Sequence, residues 1–119
     1  MAGYKVTKVG EPYVYTAPGH NECKCTRLHD MADVDNGRVI MGITHFLPKG
    51  GGTEIGGNPS DSIYYILEGE MTFEGEDGQQ IVLQKGDSVH IAPNYKKKVT
   101  NTANIATQML VVLVPPVQA

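Results

Sequence analysis

The sequence predicts an all-β fold in one globular domain, built from about ten short strands. Apolar and polar residues alternate with a period of two along most of the chain, and helical periodicity is almost absent. Fourteen glycines and seven prolines stand between the β-rich runs, where they mark turns. Strands this short and this evenly spaced are typical of a closed barrel or a double-sheet jelly roll, because both architectures protect their sheet edges.

The individual strands follow one another along the chain, each rich in β-branched, aromatic or alternating apolar residues. Turn sequences separate them, such as Asp-Asn-Gly at 35–37 and Lys-Gly-Asp at 85–87. The apolar runs on either side of Glu-Asp-Gly at 76–78 predict a hairpin. The predicted strands are Val6–Val9, Tyr13–Thr16, Glu22–His29, Arg38–Leu47, Ser62–Leu67, Glu70–Glu74, Gln79–Gln84, Ser88–Ala92, Lys97–Thr102 and Thr107–Val114.

Length and charge limit the classes of function. A chain of 119 residues with 40% hydrophobic residues can bury one core and is too short for two ordinary domains. Its formal net charge of −3 argues against a nucleic-acid or anionic-membrane partner, since the one basic cluster, at 96–98, is too short to make a broad basic surface. No apolar run approaches the roughly 20 residues of a transmembrane helix, and the first residues lack an apolar signal core, so we expect a cytoplasmic protein.

The two cysteines, Cys23 and Cys25, are expected as reduced thiols. Alternate residues on a strand point the same way, and such a pair cannot easily close a disulfide without strain. Together with His20 and His29 they make a cluster of four possible zinc ligands. Spread along one strand, Cys23, Cys25 and His29 would span about 20 Å, which is too wide for one ion. We interpret the cluster as a chance feature of a sheet.

The segment from Gly50 to Asn101 resembles the cupin family, whose small barrels carry two motifs separated by a short hairpin. The first family motif runs Gly, five residues, His-x-His, three or four residues, Glu, six residues, Gly, and its end glycines match Gly50 and Gly69. The second runs Gly, five residues, Pro-x-Gly, two residues, His, three residues, Asn, and its ends match Gly86 and Asn101. The resemblance implies an all-β cupin-type double-stranded β-helix, a jelly-roll barrel, over residues 1–119, with the motif region at 50–101.

The four residues that bind a metal in the family are not matched here. Their positions carry Gly56, Asn58, Ser62 and Lys97. A divalent iron, manganese or zinc site needs imidazole, thiolate or carboxylate ligands, whereas glycine has no donor atom and a lysine ammonium repels a cation. We therefore expect no metal cofactor at the usual site.

A barrel of this kind implies a pocket, since small β-barrels commonly enclose one small ligand. The resemblance places positions 62 and 97 on inward faces. Period-two alternation then directs Ser62, Tyr64 and Ile66 inward from one strand and Lys97 and Val99 from another. A pocket lined by Lys97, Tyr64 and either His45 or His90 suits a small anion with a carboxylate or enolate oxygen. The candidate catalytic residues are Lys97, Tyr64, His45 and His90, and the candidate substrate-binding residues are Asn58, Ser62, Ile66, Val99 and Met41.

Each candidate also has a purely structural interpretation. Lys97 lies in a run of three lysines and can be a solvated side chain at a loop edge. His45 and His90 can be ordinary strand residues that face water or make one hydrogen bond. Asn58 can support a turn ahead of Pro59.

Three functional classes follow. The first is a metal-independent lyase, decarboxylase, cyclase or isomerase that acts on a small oxo-acid or polyketide-like substrate. The second is a non-catalytic binding or sensor module that uses the same pocket. The third is a metal-dependent enzyme with displaced ligands from His45, His90 and Glu54. The resemblance also implies a homodimer in which the N-terminal strands within 1–36 pack on the partner barrel.

Overall fold

The computed structural model describes residues 3–15 and 19–117 of the chain. Within them, eleven β-strands and one short 3₁₀ turn, Met31–Asp33, alternate with loops. The strands are β1 Tyr13–Tyr15, β2 His20–Asn21, β3 Cys23–His29, β4 Ile40–Phe46, β5 Gly52–Thr53, β6 Asp61–Glu68, β7 Glu70–Gly75, β8 Gln80–Gln84, β9 Ser88–Ile91, β10 Lys97–Thr100 and β11 Thr107–Val114. No helix in the described part of the chain is long and apolar enough to cross a bilayer.

The strands form two antiparallel sheets with the crossed connectivity of a jelly roll. One sheet has the order β1-β3-β4-β11-β6-β9, and the other has the order β2-β5-β10-β7-β8. Their inner faces meet in a core of large apolar side chains. The buried core consists of Phe46, Tyr64, Ile66, Met71, Phe73, Leu83, Ile91, Val99 and Met109.

Strand β6 shows why the period-two pattern specifies the register of the barrel. Ser62, Tyr64 and Ile66 are 3%, 9% and 0% exposed, whereas the intervening Ile63 and Tyr65 are 43% and 41% exposed. A shift of one residue would place Asp61 in the core and move Ile66 into water. The same alternation buries Met71 and Phe73 in β7, so the predicted hairpin of β7 and β8 forms as expected.

The prediction of a strand near the N-terminus, at Val6–Val9, is wrong. Residues Val6–Val9 form no strand, and Val9 is fully exposed. The chain turns here instead, because the Glu11 side chain accepts a hydrogen bond from the Lys8 amide and the Glu11 amide donates to the Lys8 carbonyl. Two strands were not predicted, β2 and β5, since two residues are too short to show a period. Position 16, the predicted end of β1, lies outside the described residues.

Strand β1 pairs with β3 of its own chain. The described residues therefore show an N-terminal strand that extends its own sheet, where it occupies one edge. A single chain does not test exchange with a partner, and the homodimer stays a prediction.

Asn101 is a buried side chain that joins three segments of the barrel. It is 0% exposed. Its Nδ2 donates to the carbonyl oxygens of Phe46, Leu47 and Ile105 at 3.3, 3.3 and 2.8 Å. Its Oδ1 accepts from the Ala103 amide at 3.1 Å. One amide thus satisfies backbone groups at the end of β4 and in the loop before β11.

Replacing this amide should weaken the whole fold. Asn101→Ala leaves buried carbonyls without a donor, and we expect the free energy of unfolding to fall by about 3 kcal/mol. Urea denaturation followed by circular dichroism measures the change. Asn104→Ala, at an exposed position of the same loop, is the matched control and should change stability by less than about 0.5 kcal/mol. Equal stability of the two variants would contradict the role assigned to Asn101.

Candidate functional site

A cavity of about 550 Å³ lies between the two sheets, within the range of pockets that hold small ligands. Its floor is apolar and is formed by side chains of β4, β10 and β11: Ile40, Phe46, Val99, Met109, Val111 and Leu113. Its mouth is polar, with cationic, acidic and amide side chains: His20, Arg27, Glu54, Asn58 and Lys97. This arrangement suits a ligand with an apolar body and a charged group.

Lys97 enters the cavity from the first residue of β10. Its backbone is paired on both sides with glycines, Gly75 of β7 and Gly56 of the preceding loop. The Gly56 amide donates to the Lys97 carbonyl at 3.0 Å, and the Lys97 amide donates back at 3.1 Å. The space beside Lys97 is open on the Gly56 side, whereas on the Gly75 side the Tyr95 hydroxyl stands where a Cβ would lie.

The ammonium of Lys97 lies over an aromatic ring. Its Nζ is 5.6 Å from the centroid of Tyr64, which is within the range of a cation–π contact. Among the described residues, no carboxylate forms an ion pair with this ammonium. The charge is therefore held in place by an uncharged partner and keeps its capacity to bind an anion.

A second cation lines the cavity from β3. The guanidinium carbon of Arg27 is 5.0 Å from the centroid of Tyr15. Arg27 Nη1 donates to Asp30 Oδ2 at 3.1 Å, and Nη2 donates to Tyr15 Oη at 3.3 Å. Sequence reasoning missed Arg27, although it shares an alternation face with Cys25, which also lines the cavity.

Four of the candidate residues meet at the cavity: Lys97, Tyr64, Asn58 and Val99. Ser62 and Ile66 point inward as expected but are buried within the barrel and do not line the cavity. Asn58 also supports a turn, since its Oδ1 accepts from the Ser60 amide at 2.7 Å. Its functional and structural interpretations are therefore compatible.

The expectation that Met41, His45 or His90 lines the pocket is wrong. Met41, His45 and His90 are not among the residues that line the cavity, and in β4 the fully buried side chains are Thr44 and Phe46. His90 lies on the outer face of β9, where its Nε2 is 2.6 Å from Asp61 Oδ1. The alternation itself was predicted, but the face of β4 that points inward is set by its neighbours β3 and β11.

The side chains at the usual metal positions do not fit a divalent ion. Both backbone polar groups of Gly56 are bonded to Lys97, and the Asn58 oxygen is bonded to Ser60. Ser62 Oγ donates to the Ser60 carbonyl at 3.3 Å, and Lys97 brings a positive charge. This set has no imidazole, thiolate or carboxylate.

The displaced set also fails to assemble. Glu54 lies at the mouth of the cavity, but the two histidines of the displaced set, His45 and His90, do not line it. Across residues 3–15 and 19–117 no three His, Cys, Asp or Glu side chains are grouped closely enough to hold an ion. The cluster of His20, Cys23, Cys25 and His29 is likewise dispersed over two strands of different sheets.

The two thiols are free and sit on one face of β3. The pKa of the Cys23 thiol is raised to about 11. Partial burial is the main cause, and the neighbouring Cys25 thiol adds to it. The Thr44 hydroxyl lies 3.9 Å from the sulfur of the buried Cys25. A protonated thiol is a poor nucleophile and a poor metal ligand, so Cys23 contributes packing near neutral pH.

The Cupin domain family model matches residues 42–113. Over 113 residues, the chain is 29% identical to a protein of Mycobacterium tuberculosis named Beta-D-galactosidase Rv1717, and the match covers 95% of this chain and 96% of that protein. This similarity extends over nearly the whole length of both chains.

Solved structures share the fold at lower identity. The polyketide cyclase RemF from Streptomyces resistomycificus superposes with a TM-score of 0.77 at 20% identity, covering 97% of this chain and 84% of that one. A predicted oxalate decarboxylase from Thermotoga maritima gives a TM-score of 0.77 at 22% identity, covering 94% and 100%. At these identities the likeness shows the barrel fold alone.

The raised pKa predicts slow alkylation of Cys23. Its ordinary value is 9.0 and its value here is about 11, so the thiolate fraction at pH 8 falls about 100-fold. Iodoacetamide labelling followed by peptide mass spectrometry should show a rate that keeps rising as pH approaches 11. The same protein in urea is the control and should react as an ordinary thiol. A native rate equal to the urea rate at pH 8 would contradict the assignment.

Proposed function

Because the chain belongs to the cupin family, we propose that its cavity binds a small organic anion and converts it by lyase, decarboxylase, cyclase or isomerase chemistry that needs no metal. The observation that carries the proposal is the Lys97 ammonium at the mouth of a cavity with an apolar floor, over the Tyr64 ring and without an acidic partner among the described residues. The side chains at the usual metal positions support it, since they offer a cation where a metal would stand.

Two parts of the cavity contribute to the affinity for a ligand: the apolar floor and Lys97. The apolar floor removes the carbon skeleton of the ligand from water. The lysine ammonium bonds the carboxylate or enolate oxygen, and a partly desolvated cavity strengthens this attraction relative to bulk water. A neutral analogue of the same shape would leave the ammonium without a partner, so the cavity discriminates in favour of anions.

Decarboxylation of a β-oxo acid illustrates the chemistry that these groups support. The bond between the α-carbon and the carboxylate breaks, carbon dioxide leaves, and the electron pair moves onto the carbonyl oxygen as an enolate. Lys97 stabilises that oxygen as its charge develops. The Tyr64 phenol donates a proton to the carbon and recovers one from water. Isomerisation and cyclisation pass through the same kind of enolate.

The reactions named for two structural relatives are among the reaction types proposed here. One is described as a polyketide cyclase and another as a predicted oxalate decarboxylase. The name of the Mycobacterium tuberculosis relative suggests glycoside hydrolysis instead. Most glycosidases need two carboxyl groups that flank the scissile bond. Glu54 is the one carboxylate among the described lining residues of the cavity, so this geometry favours the first range of reactions.

Two other classes remain as alternatives to a metal-independent enzyme. A binding or sensor module would use the same cavity without turnover. A metal-dependent enzyme would retain about one ion per chain after incubation with iron, manganese, nickel or zinc and desalting. Elemental analysis of the untagged protein separates this class from the other two.

Removing the Lys97 charge should weaken anion binding while the fold remains. In Lys97→Ala we expect benzoate and hexanoate to bind roughly 10- to 100-fold more weakly, because a charge-assisted hydrogen bond contributes about 1.5–3 kcal/mol. Isothermal titration calorimetry measures the affinities. Lys96→Ala, at the adjacent exposed position, is the matched control and should bind as the unmodified protein does. Unchanged affinity in Lys97→Ala would return this lysine to the solvated interpretation.

If the protein is an enzyme, a substitution at Tyr64 should lower turnover and leave the affinity for an anion unchanged. We expect Tyr64→Phe to keep the affinity for benzoate and to lower kcat by about 100-fold or more, since the ring stays and the proton donor is lost. Proton NMR of oxaloacetate and acetoacetate, incubated with each protein, follows consumption above the background rate. Val82→Ala, at an exposed position of β8, is the control. Binding without turnover of any oxo-acid would favour the binding module.

A further inference from the structure

We propose that the natural ligand carries two acidic groups, one held by Lys97 and Tyr64 and the other by Arg27 and Tyr15 on the opposite side of the same cavity. This inference rests on the proposed function and specifies its substrate class: a compact dianion with an apolar middle. It follows from the register of the sheet, the space between the two cations and the repeated arrangement of cation over tyrosine.

The register places the two sites at one level of the barrel. In the six-stranded sheet Arg27 pairs with Gly42, Gly42 pairs with Val111, and Val111 pairs with Tyr64. These four residues therefore form one row that crosses β3, β4, β11 and β6 perpendicular to the strands. Arg27 stands at one end of the row, and the Tyr64 ring beneath Lys97 stands at the other.

Between the ends of the row, few side-chain atoms stand on the wall of the cavity. Gly42 has no side chain, and a Cβ added there would lie 2.7 Å from the Thr26 carbonyl oxygen. No larger residue fits without movement of the backbone, which explains a glycine in the interior of a strand. Val111 is then the one side chain of the row between the two sites, and it supplies an apolar surface on which the middle of a ligand can lie.

The two ends are built alike. Each places a cation over a tyrosine ring, Arg27 at 5.0 Å from Tyr15 and Lys97 at 5.6 Å from Tyr64. Asp30 and the Tyr15 hydroxyl orient the guanidinium. A guanidinium presents several N–H donors in a planar fork and can bond a carboxylate while it holds other acceptors.

The charges around the cavity favour an anion at both ends. Two cations, Arg27 and Lys97, line it together with a single described carboxylate, Glu54, which is exposed on the loop at the mouth. Asp30 offsets part of the Arg27 charge but does not line the cavity. Along the curved wall the row spans about 14 Å between its end backbones, given strands about 4.8 Å apart. Lys97 comes from the facing sheet and lies over the Tyr64 ring at one end of this row, so a ligand that contacts both cations lies along Gly42 and Val111.

Matched pairs of ligands test this class directly. Benzoate and terephthalate share one skeleton, as do hexanoate and adipate, and each pair differs in the second carboxylate. By titration calorimetry we expect the diacid to bind at least about tenfold more tightly than its monoacid. A diacid that binds no more tightly than its monoacid would overturn the inference.

The Arg27 variants locate the second site. In Arg27→Gln the preference for terephthalate over benzoate should fall to within about twofold, whereas Arg27→Lys should retain part of it. Arg38→Gln, at the other arginine of the chain and exposed, is the matched control and should keep the full preference. A preference that survives Arg27→Gln would contradict the assignment. If Arg27→Gln does not fold, the ligand pairs on the unmodified protein and on Arg27→Lys decide the question.

The outcomes separate this inference from the function on which it rests. Failure of both benzoate and terephthalate to bind would overturn the proposed anion site itself. Binding of benzoate that depends on Lys97, with no gain for terephthalate, would overturn only the two-ended ligand.

Discussion

The barrel depends on the hydrogen bonds that join Asn101, the first residue after β10, to the end of β4. The buried Asn101 amide donates to the carbonyls of Phe46 and Leu47 at the end of β4, and the Asn101 backbone bonds Gly50 and Gly51. Side chains would not fit there, since a Cβ on Gly51 would lie 2.6 Å from two backbone oxygens. This close packing fixes where β10 leaves its sheet, and β10 is the strand that delivers Lys97 to the cavity.

The glycine-rich loop at 50–57 therefore has a structural explanation that needs no metal. Some of its glycines let backbone approach backbone, since an added Cβ would lie 2.3 Å from the Val99 carbonyl oxygen at Gly52 and 2.8 Å from the Asn94 carbonyl oxygen at Gly57. Gly52 pairs with Thr100, and Gly56 pairs with Lys97. Through these pairings the segment lies beside β10, the strand that carries Lys97. A cation that is part of the chain can take over one task of a bound metal, the stabilisation of an anionic oxygen.

The chemistry of the site is concentrated in few groups. The histidines predicted from the sequence lie outside the cavity, and the Cys23 thiol is held protonated. The cavity combines an apolar floor with two cations and two tyrosine rings, and His20, Glu54 and Asn58 also line it. Such a site binds and polarises an anion, and it offers proton transfer through a phenol. The proposed reactions through an enolate need those two capacities.

The sequence alone determined the all-β class, most strand positions, and the inward direction of Tyr64 and Lys97. A period of two is local information, and the family motifs specified which residues of β6 and β10 face inward. Only the tertiary structure decided that His45 does not line the cavity, that Val6–Val9 is not a strand, and that Arg27 shares a row with Tyr64. Every strand has two faces, and which one is buried depends on partners distant in sequence.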